Sequence, residues 1–564
     1  MDKPWLKYYS EKVINSNLQE CSIYDYLFNK NQDYPLDIAL IYLGKEITFK
    51  ELFERIDMTA AAFTSAGVKE KDIVTIALPS IPEAVYCVYA LNKIGAIANM
   101  IHPLAGKEET INYLNEVESK IAVIFDAAYE TLAADIGKTK VEKAIVVSPS
   151  NSLPLMLKAA YRIKVRKPKL VQKEFIWWNS FIRNGKGTEV RKAEKNIFET
   201  AIISHTGGTT GNPKGVMCSD YSCNSLMWQL LCNFEFQRQE CSLNVLPPFV
   251  NYSLLESIMA MLAEGMKVAL LPKYDPMKFD KYVKKYKPNQ ILSIPAYWEA
   301  VLKIPNIHKT DMSCLKHLYA GGEAMSLEIK ESIDSLIQSC GANTRLYTAL
   351  GSTEMIAGAT ITYENCYYPG SVGIPMVRVN CKIVDPQSGE ELTYGNAGEI
   401  CFSGDTMMLG YYDNQEATDD IIKQDKNGVR WLHTGDIGYI TEDGIIYVTG
   451  RIKRIFMTKG RDGQVTKMFP DRIEASINTH KDVEACCVIG IPDRERINYP
   501  KAFLVLNKFA NSKEVKKEII DICKKSLPEY MIPYDLEVVD DMPRTSRGKI
   551  DYRALESYQK KNAG

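Results

Sequence analysis

The sequence predicts an α/β protein: a large N-terminal domain of parallel-type sheets flanked by helices, a small β-barrel-like subdomain within it, and a small α+β C-terminal domain. Three observations predict this. The chain has 564 residues, too many for one hydrophobic core. Helical and strand patterns alternate through roughly the first 370 residues, as expected of parallel sheets covered by helices. From about residue 372 the texture changes to short β segments separated by Gly and Asp turns. Mixed strand and helix then return after residue 450. The expected division is 1–452, with its β-rich part at about 372–450, and 453–564.

The elements follow in order. "ITFKELFERIDMTAAAFTSAGV" reads as an amphipathic helix ending at Gly67, and "DIVTIALPS" as a short buried strand. "PEAVYCVYALNKIGA" opens a helix on proline, whose fixed φ suits a first helical turn. "KIAVIFD", "KAIVVS", "KVALLP", "QILSIP" and "LKHLYAGGE" read as further interior strands. "GEICFSGDTMMLGYY" and "DIGYITEDGIIYVTG" carry the short-strand texture, and "EACCVIGIPD" with "KEVKKEIIDICKKSLPEYM" the mixed texture of the last part.

Composition excludes several classes. The 69 basic and 70 acidic side chains give a net charge of -1, which argues against duplex nucleic acid as a partner. Fourteen cysteines lie without a C-x-x-C pair or a His-Cys cluster at zinc spacing, and read as reduced thiols of a cytoplasmic protein. The start "MDKPWLKYYSEKV" lacks the apolar run of a signal peptide, and the longest apolar stretches are broken by Pro, Glu or Lys. One segment, 158–173, begins at Lys158, ends at Lys173 and holds seven basic and no acidic residues. Its bland interpretation, a solvated excursion between two elements, is favoured because no clean apolar face accompanies the charge. The other is peripheral contact with anionic lipid at the inner face of a membrane.

Four stretches carry chemistry. "ISHTGGTTGNPKGVM" places Thr206, Gly207, Gly208, Thr209, Thr210, Gly211 and Lys214 between two apolar runs. Glycine permits the backbone angles of a phosphate-binding nest, threonines add donors and the lysine adds a cation. Gly215 follows Lys214 where a Walker loop has Ser or Thr, so that class fails. "LYTALGSTEMIAG" places Glu354 after Thr353 in a turn, where a carboxylate suits Mg²⁺. "WLHTGDIGYI" offers Asp436 in a tight turn as an acceptor for a ribose diol. "MPRTSRGKIDYRAL" places Lys549 in a polar turn. Singly the last three are weak, since most such residues merely cap backbone.

In this order and spacing the stretches resemble the adenylate-forming (AMP-binding) superfamily, and bacterial fatty acyl-CoA synthetases most. The glycine–threonine loop matches "TSGTTGxPKG", "GSTE" matches "YGxTE", "HTGD" matches "TGD", "GRIKR" matches the hinge, and "PRTSRGKIDYRAL" matches "PRTxxGKxxRxxL". The resemblance implies ATP bound through Thr206, Gly207, Gly208, Thr209, Thr210, Gly211 and Lys214. It further implies Gly321, Gly322 and Glu323 of "YAGGEAM" beside the adenine, Thr353 on the α-phosphate and Glu354 on Mg²⁺. Asp436 would take the ribose with help from Arg451. Lys549 would reach the substrate carboxylate and the α-phosphate, making Lys549, Glu354 and Lys214 the catalytic set. Lys453 would be the hinge of a mobile C-terminal domain whose swing separates adenylation from thiol transfer.

The implied substrates are ATP, a carboxylic acid and CoA. A fatty acid is favoured, because "PWLKYYSEKV" resembles the start of bacterial long-chain ligases and "LPPFVNYSL" lacks the aspartate of amino-acid activators. The alternative is a stand-alone enzyme loading an aryl or acyl acid onto a carrier protein. A non-catalytic binding module is disfavoured by retention of Lys214, Glu354, Asp436 and Lys549. Val250 stands where many synthetases have His, Leu350 replaces an aromatic residue, and Arg472 replaces an acid in a loop two residues longer than the family pattern.

Overall fold

The computed structural model describes residues 2–164, 168–206, 213–454, 456–459, 465–493, 495–544 and 550–562. Among them, Ile38–Tyr42, Lys267–Leu270, Cys241–Asn244, Gln290–Ser293, His317–Gly321 and Leu346–Ala349 run parallel, with Lys45–Thr48 closing one edge antiparallel. In a second sheet, Phe175–Trp177, Lys143–Val147, Ile121–Phe125, Ile73–Ala77, Ile97–Met100 and Thr200–His205 run parallel. Gly215–Ser219 and Gly410–Tyr411 extend that sheet antiparallel. Strands buried on both faces must be apolar throughout, which is why the short runs read from sequence were continuous rather than alternating.

Helices fill the space between these sheets. Pro82–Lys93 begins on its proline and is buried over nearly its whole length. Phe49–Ser65 starts where the Thr48 side chain accepts from Glu51 N–H, and buries Phe49, Leu52, Ile56 and Phe63 at helical spacing. Tyr252–Met259 winds as a π-helix before Ala260–Ala263 continues as α, a departure that the spacing of its side chains could not signal.

Between residues 379 and 451, Val379–Val384, Gly398–Gly404, Arg430–Ile440, Ile422–Gln424 and Ile446–Arg451 form an antiparallel sheet. Farther along, Val483–Asp493, Ile497–Leu506 and Asp535–Val538 form a three-stranded sheet. Together with the helices Pro470–Ile477 and Ser512–Ser526 they enclose a core of Met468, Ile473, Leu504, Ile519 and Met531. Leu155–Lys164, at the start of the basic segment, is helical, with Met156 and Leu157 exposed. No helix among the described residues is long and apolar enough to cross a membrane.

Candidate active site

The glycine–threonine loop springs from an antiparallel hairpin in which His205 lies opposite Gly215. Thr206 N–H donates to Lys214 O at 3.0 Å, and Lys214 N–H donates to Thr206 Oγ1 at 3.1 Å. These bonds cinch the mouth of the loop. Gly207, Gly208, Thr209, Thr210 and Gly211 lie outside the described residues. Glu116 holds the mouth from below: its Oε1 accepts from Gly215 N–H at 3.0 Å, while burial raises the carboxyl's pKa.

Gly410–Tyr411 adds to the outer side of the same hairpin, with Tyr411 opposite Val216. Lys214 Nζ lies 4.7 Å above the Tyr411 ring, within cation–π reach. The Tyr411 hydroxyl donates to Glu354 Oε1 at 2.7 Å. One tyrosine therefore ties the loop lysine to the acidic turn. Burial, and then the Glu354 charge, push the phenol's pKa well up, so it stays a donor.

Thr353 and Glu354 sit on the short 3₁₀ turn Thr353–Met355, which is capped when the Ser352 side chain accepts from Met355 N–H. Glu354 O accepts from Met408 N–H at 2.9 Å, so the turn is held from both ends. Ile356, just beyond, has φ 65°, an uncommon conformation for a β-branched residue. With Oε1 fixed by Tyr411, Glu354 still offers Oε2. A single half-buried carboxylate beside the glycine–threonine loop fits Mg²⁺, which commonly takes one or two protein carboxylates with phosphate oxygens and water.

Gly321 ends the strand His317–Gly321 opposite Ala349 of Leu346–Ala349. Gly322 follows at φ 86°, so Gly321, Gly322, Glu323 and the turn of Thr353 and Glu354 cluster at the carboxyl ends of neighbouring strands. Such strand ends are where open α/β sheets bind ligands.

Asp436 is not in a free turn. It lies within the strand Arg430–Ile440, paired with Arg451 on one side and inside the register shift opposite Glu399 and Cys401 on the other. Gly435, at φ 71°, supplies the irregularity that a sequence reading takes for a turn. Arg451 Nε donates to Asp436 Oδ1 at 2.6 Å, and Asp436 is 6% exposed. Glu399 fixes the approach: its Oε1 accepts from Gly435 N–H at 2.9 Å and its Oε2 meets His433 Nδ1 at 2.7 Å. Lys453 is exposed on the short helix Ile452–Arg454. On either side, Asp471 accepts from Arg451 N–H at 3.1 Å and pairs with Arg454. Lys549 lies outside the described residues. The residues flanking its segment, Arg544 and Ile550, pair as a bridge.

Comparison with known proteins decides the family. The family model for AMP-binding enzymes matches residues 27–412, and that for the AMP-binding enzyme C-terminal domain matches 472–549. The chain belongs to the AMP-binding enzyme family. Relatives of this AMP-binding enzyme include a protein named probable 4-coumarate–CoA ligase 3 of Dictyostelium discoideum, 28% identical over 98% of each chain. Another is the long-chain-fatty-acid–CoA ligase of Bacillus subtilis (strain 168), 26% identical over 99% of each. Among solved structures, an anthranilate CoA ligase, AuaEII, in complex with anthranoyl-AMP superposes with TM-score 0.84 at 21% identity, over 98% of this chain and 99% of that one. An ATP-bound RpMatB-BxBclM chimera gives 0.82 at 22%, over 96% and 99%. These two likenesses show the fold alone. By family the chain is an AMP-forming ligase.

Within this AMP-binding enzyme the structure brings Lys214, Thr353 and Glu354 together, and joins Asp436 to Arg451. Tyr411, Glu116, Glu399 and Asp471 are contacts that the sequence reading did not single out. Tyr411 stood in the quoted text "GEICFSGDTMMLGYY", but only its docking on the loop hairpin reveals its place.

Proposed function

We propose that the protein activates a medium- or long-chain fatty acid with ATP and transfers the acyl group to CoA. In the first step a carboxylate oxygen bonds the α-phosphorus, and the bond from that phosphorus to the bridging oxygen breaks, releasing pyrophosphate. In the second, the thiol sulfur bonds the acyl carbon, AMP leaves with the electron pair of the carbon–oxygen bond, and the thiol proton passes to solvent. The observation that carries this is the join at Tyr411, which sets a cation, Lys214, and a carboxylate, Glu354, on two sides of one phenol at the mouth of the glycine–threonine loop.

Each residue then has a physical task. Lys214 and the loop threonines neutralise and orient the leaving phosphates, and Thr353 holds the α-phosphate. Glu354 would hold Mg²⁺, which supplies further charge neutralisation on the phosphates when bound. Gly321, Gly322 and Glu323 border the adenine, and Asp436 accepts from the ribose hydroxyls while Arg451 fixes its rotamer. Lys549 offsets the repulsion between carboxylate and α-phosphate as they meet. Exposed Lys453 is the proposed pivot on which the region from residue 453 turns to admit the thiol.

The fatty-acid assignment is supported by the apolar residues within 250–255 and 296–301, among them Leu254, Leu255, Trp298 and Val301, all buried. An aryl acid, on CoA or a carrier protein, is the second reading. It is favoured by Tyr252, whose hydroxyl lies 3.9 Å from where a Cβ on Gly321 would stand and so places a polar atom among those apolar residues. Incubating the enzyme with ATP, Mg²⁺, CoA and a panel of fatty and aryl acids tests this. Acyl-CoA from the fatty acids is expected. Turnover confined to aryl acids would support the second reading, and pyrophosphate release without any acyl-CoA would point to a carrier protein.

A further inference from the structure

We propose that Glu399, Cys401 and His433 form a zinc-binding site on the sheet that carries Asp436. Glu399 and Cys401 are two residues apart on the strand Gly398–Gly404, so their side chains leave the same face. His433, on Arg430–Ile440, is the direct cross-strand partner of Cys401. The strand pairing alone therefore gathers a thiol, an imidazole and a carboxylate. Their donor atoms lie within 4.8 Å of one another. His433 Nδ1 is 2.7 Å from Glu399 Oε2 and 3.5 Å from Cys401 Sγ.

Both neighbours meet the same ring nitrogen. A proton on Nδ1 serves the carboxylate and leaves the thiol only the Glu399 carbonyl, at 3.9 Å, whereas its absence serves the thiol and sets two lone pairs against each other. A relay would need both ring nitrogens. A cation between the three atoms uses every lone pair at once. Zinc bonds to sulfur, nitrogen and oxygen imply donor separations of roughly 3.3–3.6 Å in a tetrahedron. The sulfur–nitrogen distance already fits, and the carboxylate has to withdraw by roughly 0.6–0.7 Å. Sulfur with imidazole selects zinc over magnesium or calcium. Thiolate and carboxylate together balance its charge. Gly435 N–H, on Glu399 Oε1 at 2.9 Å, orients the carboxylate as an outer partner does in zinc sites. The His433 side chain is 24% exposed, which leaves the fourth position to water.

The test is metal titration of the full chain after treatment with chelator and reductant. We expect one equivalent of Zn²⁺, and Co²⁺ in its place should give a thiolate charge-transfer band. Cys401→Ser and His433→Gln should each weaken binding at least about tenfold and remove that band, while Cys381→Ser, a buried cysteine on the neighbouring strand, should leave both unchanged. Near-ultraviolet circular dichroism reports folding, and if one variant fails to fold the other decides. Wild-type protein that binds no zinc, or a folded Cys401→Ser or His433→Gln variant that keeps full affinity, overturns the proposal.

Discussion

The Tyr411 hydroxyl donates to Glu354 Oε1 at 2.7 Å. A hydrogen bond to a charged group contributes about 1.5–3 kcal/mol, and here it also aims the second carboxylate oxygen. Tyr411→Phe keeps the ring beneath Lys214 and removes only this bond. Its kcat/KM for ATP should fall by about 10- to 100-fold, with the Mg²⁺ requirement shifted upward. Unaltered ATP and Mg²⁺ dependence in the folded variant would show that the tyrosine only packs.

Asp436 and Arg451 should separate in their effects. Asp436→Asn should raise the KM for ATP more than it lowers kcat, and should erase discrimination between ATP and its 2′-deoxy analogue, because a ribose diol needs the charged acceptor. Arg451→Ala should loosen the aspartate and produce a milder version of the same pattern. Steady-state kinetics with both nucleotides checks this, and discrimination retained in Asp436→Asn refutes the ribose assignment.

Gly351 has no room for a side chain. A Cβ there would stand 2.1 Å from Ala357 O, a backbone atom that closes the turn around Glu354. Gly351→Ala should therefore lower the unfolding temperature and reduce kcat/KM for ATP by more than the stability loss explains, because the turn itself must shift. A variant with native kinetics would mean that the turn tolerates displacement.

Stability should depend on two buried carboxyls. Burial pushes Glu83 and Glu256 up from the usual 4.5 to about 7. Between these values the folded chain keeps protons that the unfolded chain has lost, so stability is greatest below pH 4.5 for these groups, falls as pH rises towards 7 and is level above it. Each contributes a term of order 3 kcal/mol. Denaturant unfolding across this range should show the decline, and Glu256→Gln, which can still accept from Gly358 N–H, should roughly halve it. An identical slope in that variant contradicts the assignment.

Parallel strands and their helices were legible because burial on both faces writes uninterrupted apolar runs, and Pro82 and Thr48 mark helix starts chemically. Asp436 was legible as a residue but not as a place. Gly435 next to an aspartate has the composition of a turn, and only the pairing with Gly398–Gly404 on one side and Arg451 on the other shows a bulged strand. The π-helix over Tyr252–Met259 was illegible, since its polar residues Ser253, Glu256 and Ser257 stand at a spacing that any helix allows and do not tell π from α. Glu116, Tyr411 and Glu399 act on the loop mouth or the Asp436 strand from distant parts of the chain. Their text contains nothing but an acid or a tyrosine, and their tasks exist only once the sheets assemble.

Carboxylate-dependent exchange of labelled pyrophosphate into ATP, measured without CoA, tests acyl-adenylate formation most directly. We expect exchange with fatty acids in the wild-type protein. Lys549→Ala should lose it by several orders of magnitude yet still convert supplied acyl-adenylate and CoA to thioester. Absence of exchange with every acid, or equal loss of both half-reactions in Lys549→Ala, would contradict it.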